Sequence, residues 1–232
     1  MKPLRYACLF QMIAVVILLA RTAWAEQLPE GFVYLDQVVP EIRVELRYHT
    51  RENFVGNRIE GYVAPRCIMT RQTAEALQGV QKDLSAFGLG LKIYDAYRPQ
   101  RAVDHFVRWG RDLQDTRMKS KYYPDVEKKN LFTEGYIADR SSHSRGGAVD
   151  LTIVWIDPDG TAKELDMGTG FDLFSRRSWP QDLTITPAQR AHRMLLQALM
   201  TKHGFESYPQ EWWHFKLRDE PFPDTYFDFL VQ

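Results

Sequence analysis

The segment Ser141-Ser142-His143-Ser144-Arg145-Gly146-Gly147-Ala148-Val149-Asp150 runs straight into the apolar stretch 151–156, and it constrains the fold more than any other part of the chain. Residues 151–156 are short, β-branched and aromatic, which marks a buried strand. In a regular strand, residues seven apart point to opposite faces, so His143 and Asp150 would diverge. The Gly146-Gly147 pair removes that restriction, because glycines permit a bend or bulge that redirects the backbone. A bend just ahead of a buried strand is a place where two polar side chains can converge.

A second segment, Glu211-Trp212-Trp213-His214, follows Tyr208-Pro209 and leads into another apolar stretch. Glu211 and His214 are three apart, so a short helical turn or an irregular start to a strand could point both into one cavity. His143, Asp150 and His214 together make three nitrogen and oxygen ligands, the number that a catalytic zinc uses while keeping a fourth position for water. Each residue also has a structural reading: a lone histidine near aromatics is often a hydrogen-bonded core residue, Asp150 could cap a turn, and Glu211 could be a surface acid. His49, His105 and His192 have no neighbouring pattern, and His203 sits where a helix C-terminus favours positive charge. Two histidines and a carboxylate also describe a non-haem iron site, but there the first histidine and the acid usually stand two residues apart.

Helical apolar spacing covers residues 69–87, with Ala74, Leu77, Leu84 and Phe87 facing one way, and also residues 100–112 and 187–203. The last begins with Thr186 as N-cap, Pro187 at the first helical position and Gln189 three residues after the cap, and Gly204 supplies the stop. Strands are expected at 32–35, 43–48, 91–95, 151–156, 163–165 and 213–217, with Asp157-Pro158-Asp159-Gly160 as a turn. Without a regular alternation of strand and helix, the expected class is α+β: one domain with a central, mostly antiparallel sheet flanked by helices.

The first 25 residues differ from the rest. Lys2 and Arg5 precede an apolar run over residues 6–20, followed by Ala23-Trp24-Ala25, the pattern of a secretory signal peptide cleaved after Ala25. The run is shorter than the ~20 residues that span a bilayer. The expected organisation is a cleaved signal at 1–25 and a catalytic domain at 26–232, periplasmic or secreted, with no stable membrane association. Losing Lys2, Arg5 and Arg21 takes 30 bases against 30 acids to 27 against 30, a net −3, which argues against nucleic acid as a partner. Cys8 leaves with the signal, so Cys67 alone can form neither an internal disulfide nor a multi-cysteine zinc site.

At these motifs the chain resembles the D-alanyl-D-alanine dipeptidases, a branch of the zinc peptidases that also includes D-alanyl-D-alanine carboxypeptidases. Ser141, His143, Gly146, Ala148 and Asp150 meet the family's Ser-x-His, two residues, Gly-x-Ala-x-Asp pattern, and Glu211 and His214 meet its Glu-x-x-His. The likeness extends to Tyr-Asp-x-Tyr-Arg-Pro at residues 94–99, to Asn53-Phe54-x-Gly56, Gly61-Tyr62 and Met167-Gly168-Thr169, and to Phe171-Asp172. The resemblance implies one Zn2+ per chain on His143, Asp150 and His214, Glu211 as general base, and Arg98 stabilising the oxyanion. It implies a small dipeptide as substrate, with Asp172 holding its ammonium and Ser141, Tyr62 and Tyr48 at substrate-contacting or bordering positions. For the tyrosines, a core role with a hydrogen-bonded hydroxyl is the rival reading.

Two other functions stay open at this point. A zinc D,D-carboxypeptidase acting on peptidoglycan peptides would use the same metal and base but leave the amino side of its pocket open. A zinc-stabilised binding module would have no use for Glu211 or Arg98, since neither is needed to hold metal.

Overall fold

The computed structural model describes residues 28–232, and Gly31–Gln232 form one compact unit. The expected signal segment lies outside the described residues. In chain order the elements are β1 (Phe32–Tyr34), β2 (Arg43–Val44), β3 (Ile68–Thr70), α1 (Arg71–Ser85), β4 (Leu89–Asp95), α2 (Gln100–Arg111), α3 (Lys119–Tyr122), β5 (Ala148–Ile156), β6 (Ala162–Glu164), α4 (Pro187–Lys202), β7 (Phe205–Tyr208) and β8 (Glu211–Leu217).

The main sheet runs β2-β4-β5-β8-β7, with β6 added to β5. Only the β2–β4 pair is parallel, so the α+β expectation with a mostly antiparallel sheet holds. β5 lies at the centre: Ala148, Val149, Leu151, Ile153 and Val154 are each at 0 % exposure. A strand covered on both faces reads as a continuous apolar run, and each of its larger side chains contributes about 2 kcal/mol by leaving water. β1 and β3 form a separate antiparallel pair.

Helix α1 buries Ala74, Leu77, Val80 and Leu84 at helical spacing, and the Thr70 hydroxyl caps it by accepting from the Thr73 amide. The helix stops at Ser85, two residues short of the expected end. Phe87 therefore falls beyond the last turn and is 74 % exposed instead of facing the core. Its expected first residues belong to β3. At α4 the capping box forms as expected: Thr186 Oγ1 accepts from the Gln189 amide at 3.3 Å and Gln189 Oε1 from the Thr186 amide at 2.8 Å.

The expected strand at 43–48 breaks after Val44. A 3-10 turn at Arg47–His49 then carries Tyr48 inward, where it is buried at 2 %.

Two register features place the polar residues. Asp150 on β5 stands directly opposite His214 on β8, which puts both side chains on one face as neighbours. On the other flank, β4 pairs Ile93 with Leu151, then shifts register so that Asp95 stands opposite Asp150. Asp95, Asp150 and His214 thus lie side by side across three adjacent strands.

Candidate active site

His143 enters from the 3-10 turn Ser142–Arg145, capped by the Ser141 side chain and closed by Gly146 at φ 76°. That left-handed conformation requires glycine here, and a Cβ would stand 2.4 Å from Phe32 Cε1. The bend expected from the glycine pair is this turn. It brings His143 Nε2 to 3.2 Å from Asp150 Oδ1, and His214 Nδ1 lies 3.0 Å from that oxygen and 3.0 Å from His143 Nε2.

The outer ring nitrogens of the two histidines have partners of different kinds. His143 Nδ1 lies 2.6 Å from the Ala96 carbonyl, an obligate acceptor, so Nδ1 carries the proton and Nε2 keeps its lone pair. His214 Nε2 lies 3.3 Å from Ser142 Oγ, which can take its proton and leave a lone pair on Nδ1. Two nitrogen lone pairs and a carboxylate oxygen then face one another, which is unfavourable unless a cation lies between them. Ligand atoms about 2.1 Å from a tetrahedral zinc stand about 3.4 Å apart, close to the edges of this triangle. The residues present therefore fit a divalent metal, with the outer hydrogen bonds that orient metal-bound histidines. Among the described residues this is the group of histidine and acid side chains close enough to hold an ion.

Glu211 and Arg98 flank the triangle. Glu211 begins β8 where pairing with β7 shifts register, from Ser207 opposite Phe215 to Tyr208 opposite Glu211. This irregular start puts Glu211 Oε2 4.0 Å from His214 Nδ1 on the same cavity wall. Burial and then the negative charge of Asp150 push its carboxyl up to about 8, against the pull of Arg98 and His143. A bound cation would oppose that rise. Arg98 donates through Nε to Asp95 Oδ2 at 2.9 Å and through Nη2 to Asp150 Oδ2 at 3.2 Å. Its guanidinium lies 4.9 Å from the Tyr48 ring centre.

The cavity these residues line is about 240 Å³, and its wall also includes Tyr48, Ser141, Phe174 and Asp172. Asp172 is 4 % exposed and sits at φ 61°, the one non-glycine residue in the left-handed region among those described. Tyr48 donates to its Oδ1 at 3.1 Å, while Oδ2 has no hydrogen-bond partner. Burial, with the charge of Asp150 behind it, raises the Asp172 carboxyl well above its ordinary value.

Ser141 Oγ accepts from the His143 amide at 3.3 Å. Tyr62 departs from the expectation. It is buried at 2 %, donates to Asp95 Oδ1 at 2.6 Å and is not among the cavity-lining residues, because Asp95 takes up its hydroxyl. Arg101 and Arg108 pair with Asp228 and Glu60 on the surface, as expected of a solvated helix face.

Sequence reasoning gave no role to Asp95, although it belongs to the Tyr-Asp-x-Tyr-Arg-Pro motif. It missed Ser142, Tyr136, Arg140 and Tyr208 on the cavity wall as well. The adjacency of Ser142 to His143 was the one available signal for any of these.

Residues 29–232 match the model of the peptidase M15 family, described as D-ala-D-ala dipeptidase. A D-alanyl-D-alanine dipeptidase of Enterococcus faecalis is 43 % identical over 87 % of this chain and 98 % of its own length. Proteins of the same description from Enterococcus faecium and Streptomyces coelicolor are 39 % and 41 % identical, over 87 % and 86 % of this chain and 98 % of each relative. With its motifs, its site geometry and these relatives in agreement, the chain belongs to the M15 peptidase family of D-Ala-D-Ala dipeptidases.

Proposed function

We propose that the protein hydrolyses D-alanyl-D-alanine to two molecules of D-alanine, using one zinc ion held by His143, Asp150 and His214. The observation that carries this reading is the triangle of three electron-pair donors at 3.0 to 3.2 Å, open to a cavity shared with Glu211, Arg98 and Asp172. At about 240 Å³ the cavity falls below the ~300–1,000 Å³ usual for larger ligands, which suits a dipeptide. Relatives carrying the dipeptidase description over nearly their whole length support the same substrate class.

Zinc, when bound, polarises the peptide carbonyl and lowers the pKa of water toward ~7. Glu211 takes the proton of the attacking water and passes it to the leaving amine. Arg98, held by Asp95 and aligned on the metal face, offers a permanent charge to the oxyanion of the tetrahedral intermediate. Asp172 holds the substrate ammonium through its unpartnered oxygen, and Tyr48 orients that carboxylate. Ser141 borders the substrate, and Tyr62 acts through Asp95. A buried carboxylate at the amino end favours a free dipeptide over an acylated wall peptide.

The test is release of free alanine from D-alanyl-D-alanine, L-alanyl-L-alanine and an N-acetylated D,D-tripeptide, before chelation, after it and after zinc is restored. Zinc-dependent cleavage of the D,D-dipeptide alone is expected. Preference for the tripeptide would point to a D,D-carboxypeptidase, and retained zinc without any turnover to a binding module.

The leader expected at residues 1–25 would place the mature chain, 26–232, in the periplasm or outside the cell. There it would act on dipeptide released from the wall. Mass spectrometry of the exported protein should give Glu26 as the first residue. A deletion strain that grows as well as its parent on the dipeptide as sole nitrogen source would remove the nutritional role.

A further inference from the structure

The buried face of α4 contains Leu196, Met200 and, unexpectedly, Arg193, whose residue exposure is 3 %. Burying a guanidinium is costly unless its donors are met. Here Nε donates to the Met167 carbonyl at 2.7 Å, Nη1 to the Trp179 carbonyl at 2.8 Å, and Nη2 to the Arg177 carbonyl at 2.9 Å and to Thr169 Oγ1 at 3.3 Å. Among the described residues no carboxylate pairs with it. All four acceptors belong to residues 167–179, the segment that carries Asp172.

One branch of this network has a fixed direction. Thr169 Oγ1 also accepts from Trp212 Nε1 at 2.8 Å, and both the indole and the guanidinium can only donate. The Thr169 hydroxyl must therefore give its own proton to Ser178 Oγ, 3.1 Å away, and Ser178 gives its proton to the Leu173 carbonyl at 2.7 Å. The chain of bonds begins at Arg193 and ends on the residue that follows Asp172. Asp172 itself stands at φ 61°, a conformation that costs a non-glycine residue about 1 kcal/mol or more and persists where the surroundings over-determine it. Trp212 follows Glu211 in β8, so the same threonine ties that strand to the Asp172 segment.

We propose that Arg193 is a positioning residue for substrate selection: its guanidinium, bonded to carbonyls on both sides of Asp172, holds that carboxylate in the cavity and so sets the preference for a dipeptide with a free amino terminus. The proposal rests on the reading of Asp172 as the ammonium site. A rigid fork of five donors can bridge four separate acceptors, which a lysine cannot reproduce.

The test uses the full chain with Arg193→Lys, Thr169→Val, Asp172→Asn and the double variant of Arg193→Lys with Asp172→Asn. It measures kcat and KM on D-alanyl-D-alanine and on its N-acetyl form, together with zinc content. Arg193→Lys and Thr169→Val should each raise KM for the dipeptide about tenfold, the loss expected for a hydrogen bond that involves a charged group. kcat should move by less than about threefold. Selectivity over the N-acetyl form should fall, zinc should stay bound, and Arg193→Lys should add little to Asp172→Asn. Thr169→Val, which leaves the arginine in place, decides the matter if Arg193→Lys does not fold. Additive effects, or parallel losses on both substrates, would overturn the positioning role alone. A wild-type enzyme indifferent to the free amine, or an Asp172→Asn variant with unchanged KM, would overturn the Asp172 reading and this proposal with it.

Discussion

His143 and His214 meet Nε2 to Nδ1 at 3.0 Å, and the other nitrogen of each ring is engaged by the Ala96 carbonyl or by Ser142 Oγ. With its proton on Nε2 toward Ser142, His214 turns a lone pair on Nδ1 toward His143 Nε2 and Asp150. In that tautomer the two lone pairs and the Asp150 carboxylate repel one another, and a divalent cation between them turns the repulsion into an attraction.

Chelation should therefore lower Tm as well as activity, and zinc should restore both. At free zinc about 100 times its Kd, the stabilisation is about 2.7 kcal/mol. Differential scanning calorimetry across a zinc titration checks this, and a Tm indifferent to zinc would count against the site.

Glu211→Gln should bind zinc as the wild type does but lose about 10²- to 10⁴-fold in kcat, the usual size of a general acid–base contribution. Metal analysis alongside steady-state kinetics separates the two effects. Full activity in this variant would assign the base elsewhere.

Asp172→Asn should stabilise the ligand-free protein at neutral pH while raising KM. Burial raises the folded-state pKa of Asp172 above its unfolded value, so the unfolded chain ionises first as pH rises. Stability is then greatest below the unfolded pKa, about 3.9, and falls as pH climbs toward the folded pKa. Asparagine removes that loss. Urea unfolding at pH 4 and pH 7 should show the variant gaining on the wild type only at the higher pH.

Gly146→Ala should destabilise by about 2–4 kcal/mol, combining left-handed strain with a Cβ that would stand 2.4 Å from Phe32. Because the same turn carries His143, zinc affinity should fall too. Denaturant midpoints and metal titration report the two effects separately.

Tyr62→Phe should leave KM within about twofold, since Tyr62 does not line the cavity, and should lower kcat by loosening the Asp95 carboxylate that holds Arg98. A large rise in KM with unchanged kcat would instead restore Tyr62 to the substrate.

The sequence made the His143, Asp150 and His214 cluster legible because a glycine pair before a buried strand and a Glu-x-x-His at the start of another have few other uses. The long helices were legible from apolar spacing, and α4 from its cap. Short elements were not: the strand Ile68–Thr70 is three residues long, and Met69 and Thr70 run on into the apolar spacing of α1, so those two read as helix. The position of Tyr62 depends on Asp95, whose own facing depends on a register shift invisible in an alternating Tyr-Asp-x-Tyr string. Arg193 attracts no notice because its partners are mostly backbone carbonyls, which every residue carries.

The register shift in β4 acts as a half-period phase step. The strand runs in phase with its neighbour through Ile93 and leaves it with one residue gained, so that Asp95 meets Asp150. Everything downstream inherits that phase, including Arg98, three residues on. Without that step Tyr94 would stand opposite Asp150 and Asp95 would pass on to Val149, turning the Asp95–Arg98 pair away from the face that carries His214. A strand paired in that way would keep His143, Asp150 and His214 and lose the arginine that flanks them, so the one-residue bulge at Tyr94 belongs to this site as much as those three side chains do.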